Sequence, residues 1–331
     1  MTRDWRFLLS MFLAASTLVV HVQCTYGVGG GLMVGFYDGT CPSAEALVKA
    51  TVESAIASDK RNGAGLVRTF FHDCFVEGCD ASVLIDSTPD NSAEKDGRPN
   101  LTLHGFEFID MAKASIEAAC PGVVSCADIV AIAARDSVHL LGGPYYEVKT
   151  GRRDGRVSLA SGTSDIPNPI DDLATLTSSF AKKGLSQSQM VSLSGLHTIG
   201  KATCGAFTNR LYNFSSTAST DPTLDAEYAE QLKAACPPGS ETGTTVVDMD
   251  VATPELVDNQ YYVGLVAHKG LFTSDEVLYT SAETQPQVLR NAQSAYSWTS
   301  EVVRDLTAMG DVEVKTGSNG EIRLNCRVIN P

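Results

Sequence analysis

Apolar residues recur at helical spacing along most of the chain, and alternation of period two is rare. Ala46, Leu47, Ala50, Val52 and Ile56 mark a helix over 44–57, with Ser43 after Pro42 as its N-cap. The same pattern predicts helices over 64–71, 106–119, 126–141, 173–183, 186–194, 223–235, 258–268, 285–291 and 294–309. Gly142, Gly143 and Pro144 stop the one that begins at Cys126. Strand signals are confined to 147–149, ahead of a glycine turn, and to 312–315, set to pair with 322–328. Long loops follow over 86–104, 151–170, 213–224 and 237–249, and no internal repeat or low-complexity tract interrupts them. The fold class is mainly α with very little β, and its long loops are where a site would be built.

The first residues change the picture of compartment. Arg3 and Arg6 precede an apolar run from Phe7 to Val20, which ends near Val22, Gln23 and Cys24 ahead of the glycine-rich stretch 27–31. This order predicts a cleaved secretory signal peptide over 1–24, with cleavage roughly between 24 and 30. The run is shorter than the roughly 20 residues of a membrane span. Removal of Cys24 leaves eight of the nine cysteines, an even set that in an oxidising compartment implies four disulfides; spacing alone leaves about 105 pairings open. The 331 residues allow one domain or two. A formal charge of −14 disfavours nucleic acid and anionic lipid as partners. Asn213, Phe214 and Ser215 form a glycosylation sequon in a polar loop, and a second begins at Asn100.

Candidate chemistry concentrates around two histidines. In RTFFHDCFVEGCDASVL, Arg68 and His72 are four residues apart and share a helix face, with Phe71 beside them. Asp73, Gly78, Asp80 and Ser82 follow around Cys74 and Cys79, an oxygen-rich loop suited to a hard cation such as Ca²⁺. His197 lies in LSGLHTIG at the end of an apolar helix. Taken alone it reads as a core or capping residue, or as a haem ligand. A zinc hydrolase would need a His pair at helical spacing plus a carboxylate, or a CxxC cluster, and the sequence has neither.

These segments resemble the secretory plant haem peroxidases of class III along nearly the whole mature chain, from GFYDGTCP at Gly35 to RLNCRVIN at Arg323. Between them lie EKDGRPN at Glu94, VSCADIVAIAARD at Val124, GRRDG at Gly151, LSGLHTIG at Leu193, RLYNF at Arg210, DVATPELVDNQYY at Asp250 and GLFTSD at Gly270. The resemblance implies one haem peroxidase domain over 31–331, with a b-type haem between distal and proximal helical halves. It makes His197 the axial iron ligand, Asp275 the acceptor of its other ring proton, and Phe71 a neighbour of the haem. His72 becomes the acid–base group for H₂O₂, Arg68 the stabiliser of developing negative charge, and Asn100 the partner that orients His72, with Glu94 in the same network. An Asn100 so engaged is expected to carry no glycan.

The implied reaction reduces H₂O₂ to water and oxidises phenolic donors by one-electron steps, with roles in cell-wall and lignin metabolism, oxidative stress and H₂O₂ removal. Pro167 matches the residue whose carbonyl holds the donor. Where some members carry phenylalanines along that access channel, this chain has Arg98, Ile170 and Ala206, with Phe207 one residue away. Two Ca²⁺ sites are implied: Asp73, Val76, Gly78, Asp80 and Ser82 with Glu94 nearby, and Thr198, Asp250, Thr253, Leu256 and Asp258. The implied disulfides are Cys41 with Cys120, Cys74 with Cys79, Cys126 with Cys326, and Cys204 with Cys236. His104, His139 and His268 match no family role and are expected to face solvent or pack. The protein is expected to be a secreted monomer of the cell-wall space, glycosylated at Asn213, with no membrane or nucleic-acid partner. A haem-free secreted scaffold is the rival reading, disfavoured because Arg68, His72, His197 and Asp275 are all present.

Overall fold

A helix that is apolar all round is stable only where every face is covered. The helix Cys126–Leu140 has such cover: every residue from Cys126 to Val138 is buried, and its charges are paired, Asp128 with Arg152 and Arg135 with Asp136. It forms the middle of a computed structural model that describes residues 31–331. The leader assigned to 1–24, its cleavage region and Cys24 lie outside the described residues. In chain order the helices are α1 (Ala44–Ser58), α2 (Arg61–Cys74), α3 (Phe106–Ala119), α4 (Cys126–Leu140), α5 (Leu173–Lys182) and α6 (Gln187–Ser194). They continue as α7 (Thr208–Leu211), α8 (Ala226–Ala235), α9 (Gln260–Val266), α10 (Thr273–Thr280), α11 (Gln285–Gln293) and α12 (Ala295–Gly310). Helices α1, α2 and α3 pack around α4, while α6, α9, α11 and α12 pack against one another.

Local chemistry sets many of the boundaries. The side chains of Ser125, Asp172, Asp225 and Ser294 accept N–H bonds at the starts of α4, α5, α8 and α12, and Ser186 with Gln189 forms a capping box on α6. Gly142, at φ +92°, ends α4 as expected. Ser43 precedes α1, but its side chain makes no capping bond. Helix α2 is longer than the sequence pattern indicates, and α8 and α9 are shorter.

The strand expectations fail for a specific reason. Residues 147–149 form no ladder; the next residue, Thr150, bridges Met33. Segments 312–315 and 322–328 do not pair with each other, since Lys315 bridges Arg153 and Glu321 bridges Asp154. The carboxylate of Asp154, fully buried, accepts the N–H groups of Ala127 (2.9 Å) and Arg323 (2.8 Å) and so captures the C-terminal segment for itself. The one sheet among the described residues is antiparallel, β1 (Lys201–Thr203) on β2 (Val246–Asp248), with Ala202 opposite Val247.

Two apolar cores result. The larger draws on residues from Tyr37 to Cys326; the smaller gathers Phe207, Leu211, Tyr228, Leu232 and Leu271 around Cys204 and Cys236. Burying one such large side chain contributes about 1.5–3 kcal/mol. All four disulfides join the implied partners: Cys41–Cys120, Cys74–Cys79, Cys126–Cys326 and Cys204–Cys236. Among the described residues no helix is long and apolar enough to cross a membrane.

Candidate active site

Helix α2 carries Arg68 and His72 one turn apart. The guanidinium of Arg68 donates to Thr102 Oγ1 (2.9 Å) and to the Pro99 carbonyl (3.0 Å) and, among the described residues, has no acidic partner. Burial pushes its pKa down to about 10, so it remains a cation. His72 is buried, and its Nδ1 meets Asn100 Oδ1 at 2.6 Å. The Asn100 amide nitrogen donates to the Glu94 carbonyl (2.8 Å), so Oδ1 is the acceptor and Nδ1 of His72 carries the hydrogen. The free nitrogen is therefore the basic Nε2. Burial, then the charge of Arg68, pushes the imidazole down to about 3, which makes it a neutral base across the physiological range. Glu94 enters this network through its main chain, not its carboxyl group. Asn100 is buried and engaged on both sides. Phe71 is half-buried, stacked against Phe75 (4.3 Å between centroids) with Phe180 beyond.

The second histidine is wired differently. Helix α6 tightens into the 3₁₀ turn Gly195–Thr198 that presents His197. Gly195 is required there: a Cβ would lie 2.4 Å from the Trp298 indole nitrogen on α12. His197 Nδ1 bonds Asp275 Oδ1 at 2.7 Å, leaving Nε2 free. Asp275 sits at the start of α10, buried, and also accepts the Tyr261 hydroxyl (2.9 Å) and the Phe272 N–H (2.9 Å). Phe272 and Tyr261 stand edge-on to the imidazole at 5.6 and 6.0 Å. Yet the His197 side chain is 42% exposed, an open imidazole between apolar walls and a buried carboxylate. Gly200, three residues on, lies against Ala64 in the first turn of α2, and a small cavity lined by Arg61, Ala64, Ile199 and Lys201 separates the two segments. The helix bearing Arg68 and His72 thus adjoins the turn bearing His197.

Oxygen atoms collect beside both histidines. Thr198 Oγ1 has Asp250 Oδ2, the Leu256 carbonyl and Asp258 Oδ1 within 3.2–3.3 Å, and the Thr253 hydroxyl reaches Asp258 at 3.0 Å. Burial raises the Asp250 pKa. On the other side, Asp73, Asp80 and Ser82 are buried together, and burial followed by the nearby Asp80 charge raises the Asp73 pKa. Ser82 Oγ and both Glu94 carboxyl oxygens are buried without a hydrogen-bond partner, and Glu94 is pushed up to about 9 by burial and by Asp73. Lys315 pairs with Asp80, and Lys183 donates to the Val76 carbonyl (2.8 Å), so this loop already draws positive charge. Gly78, at φ +88°, lets the loop turn there. Among the described residues no three His, Cys, Asp or Glu side chains converge as metal ligands; each cluster has two carboxylates, completed by hydroxyl and carbonyl oxygens.

Pro167 is half-buried on a loop whose Pro169 carbonyl accepts Ser274 N–H (3.0 Å) at the head of α10. Arg98 and Ile170 are exposed and Ala206 is half-buried. Phe207 is buried in the smaller core, so it does not replace the ring absent at 206. His104 and His139 are exposed, as expected. His268 is not idle, because its Nδ1 meets the buried carboxylate of Glu276 at 2.7 Å. Sequence reasoning gave no role to Tyr261, Phe272, Arg210 or Glu276; the only signal was their place inside the quoted segments.

Comparison with known proteins agrees with this geometry. The peroxidase family profile matches residues 48–294. Peroxidase 5 of Vitis vinifera is 50% identical over 321 residues, covering 96% of this chain and 98% of that one. Peroxidase 71 of Arabidopsis thaliana is 44% identical over 98% of each chain, and Peroxidase 62 of the same plant 44% identical over 95% of this chain and 97% of its own.

Proposed function

This chain belongs to the class III plant peroxidase family, and on that premise we propose how its own residues carry out the peroxidase reaction on H₂O₂. Haem is the cofactor of the family, and the residues fit it: an open, half-exposed imidazole anchored from behind by a carboxylate is what an axial iron ligand requires. In this reading His197 holds the iron through Nε2, Asp275 fixes the ring and increases its donor strength, and Phe71 and Phe272 provide apolar walls. What the haem supplies when bound is the redox chemistry, two electrons to H₂O₂, returned one at a time by donor molecules.

The remaining steps belong to the protein. Neutral His72 takes a proton from the peroxide oxygen through Nε2 and returns it to the oxygen that leaves as water. Asn100 keeps that nitrogen aimed and unprotonated beforehand. Arg68, a half-buried cation with no anionic partner among the described residues, stabilises the negative charge that gathers as the O–O bond opens. The observation that carries the reading is the contrast between two histidines held through Nδ1, one by a neutral amide beside a cation and one by a carboxylate.

Phenolic donors would approach past Pro167, whose carbonyl would hold them; Arg98, Ile170 and Ala206 would give this approach fewer aromatic surfaces than some relatives have. The oxygen clusters at Thr198 and at Asp73 each suit one Ca²⁺, through Asp250, Thr253, Leu256 and Asp258 in the first case and Val76, Gly78, Asp80 and Ser82 in the second, with Glu94 alongside. We further propose a b-type haem, one domain over 31–331, secretion to the cell wall with a glycan on exposed Asn213, a monomeric state, and work on wall phenolics, including lignin precursors, and in H₂O₂ removal. The larger core, shared from Tyr37 to Cys326, supports the single domain. Refolding with haem and Ca²⁺ should give a Soret band and H₂O₂-dependent oxidation of guaiacol. His72→Ala should keep the band and slow the peroxide reaction by about 10²–10⁴; an unchanged rate would refute the role of His72.

A further inference from the structure

The His197–Asp275 pair is the exposed end of a longer buried chain. Asp275 Oδ2 accepts the Phe272 N–H at 2.9 Å, and the Phe272 carbonyl accepts Arg210 Nη1 at 3.3 Å, so the main chain behind His197 is gripped from both sides. Arg210, fully buried on α7, also donates to the Gly270 carbonyl and through Nε to Asp221 (2.8 Å). Its Nη2 makes no hydrogen bond and lies 3.7 Å from Glu276 Oε2, which also makes none. Glu276 follows Asp275 on α10, and its Oε1 meets Nδ1 of His268 at 2.7 Å. His268 is half-exposed, held at φ +57° with its ring edge-on to Tyr279.

One guanidinium therefore faces two buried carboxylates, while a third, Asp275, is bound to the iron-side histidine. Charges this deep have little solvent to screen them. A change at Glu276 can reach Asp275 through the Arg210 guanidinium and the Phe272 main chain as well as along α10 itself. We propose that Arg210, Glu276 and His268 are positioning residues that set how strongly Asp275 draws the Nδ1 proton of His197, and hence how strong an iron ligand His197 is. The inference rests on the reading of His197 as that ligand.

Two variants act on the charge balance with opposite sign. Glu276→Gln leaves Arg210 under-compensated; its charge then pulls on Phe272 and Asp275, and the carboxylate draws less on His197. His268→Gly, which suits the positive φ, frees the Glu276 charge to offset Arg210, and Asp275 draws more. In the ferrous haem protein, resonance Raman should show the iron–histidine stretch moving down in Glu276→Gln and up in His268→Gly. The iron midpoint potential should rise in the first and fall in the second, and the peroxide rate of Glu276→Gln should drop about tenfold. Loss of packing would move both variants the same way, so same-sign shifts, or none, overturn the proposal. If Glu276→Gln does not fold, His268→Gly decides alone: an upward shift supports the proposal, and a downward or absent one overturns it. Absence of an iron–histidine band from the unaltered protein refutes the reading of His197 and the inference with it. A band present but unmoved refutes the inference alone.

Discussion

His72 shows how one residue's surroundings can select its chemistry. Its pKa lies at about 3, below the ordinary 6.5, because burial and the Arg68 charge both penalise the imidazolium. An unfolded chain binds that proton more readily than the folded one does. Acidification from about 6.5 towards about 3 therefore costs stability through this group, and neutral pH restores it. For catalysis the consequence is an extended acid range. The rate of reaction with H₂O₂, followed by stopped flow, should stay flat from neutral pH to about 4 and halve near 3. Arg68→Leu should lower the plateau and move the midpoint to higher pH, since a neighbouring cation no longer resists protonation. A midpoint near 6 in the unaltered protein would contradict the electrostatic account.

Among the elements, the turn Gly195–Thr198 joins the proposed iron ligand to the oxygen cluster beside it, because Thr198 adjoins His197 in sequence and reaches Asp250 and Asp258. Asp258→Ala should reduce bound calcium from two ions to one by atomic emission and lower the melting temperature. At a calcium level 100 times its dissociation constant, the missing ion corresponds to about 2.7 kcal/mol. Chelation of the unaltered protein should have the same direction and a larger size. The sequence revealed these elements unevenly. Helix α4 was legible because its apolar run is long and glycine stops it, and Arg68 with His72 was legible because helical spacing puts them together. Helix α10 was not, since TSDEVLYT is short and mixes polar with β-branched residues. Asp275 stood out only by resemblance. The Glu276–His268 pair spans a turn between two helices that no periodicity relates. The failed strands border residues whose bridges run to distant partners, Thr150 to Met33, Lys315 to Arg153 and Glu321 to Asp154.

For the molecule as a whole, stability rests on a few long-range ties more than on sheet or repeat. Cys126 and Cys326 are 200 residues apart, and closing such a loop is worth about 5 kcal/mol in the chain-entropy view, against the 5–15 kcal/mol net stability of an ordinary domain. The paired substitution Cys126→Ala with Cys326→Ala should lower the guanidinium midpoint by the equivalent of about 2–5 kcal/mol. Removing Cys74–Cys79, which closes only five residues, should cost the unfolded state far less entropy and act mainly on the oxygen loop beside His72. That same long tie has a consequence for biosynthesis. Cys126 opens the most buried helix, yet its partner is five residues from the end of the chain. At a synthesis rate of about 5–20 residues per second, the first thiol waits roughly 10–40 s for the second to emerge. Through that interval Cys120, six residues upstream, must pair with Cys41 and not with Cys126. A cell lacking disulfide isomerase should therefore accumulate chains cross-linked wrongly between residues 41 and 126, before Cys326 is made.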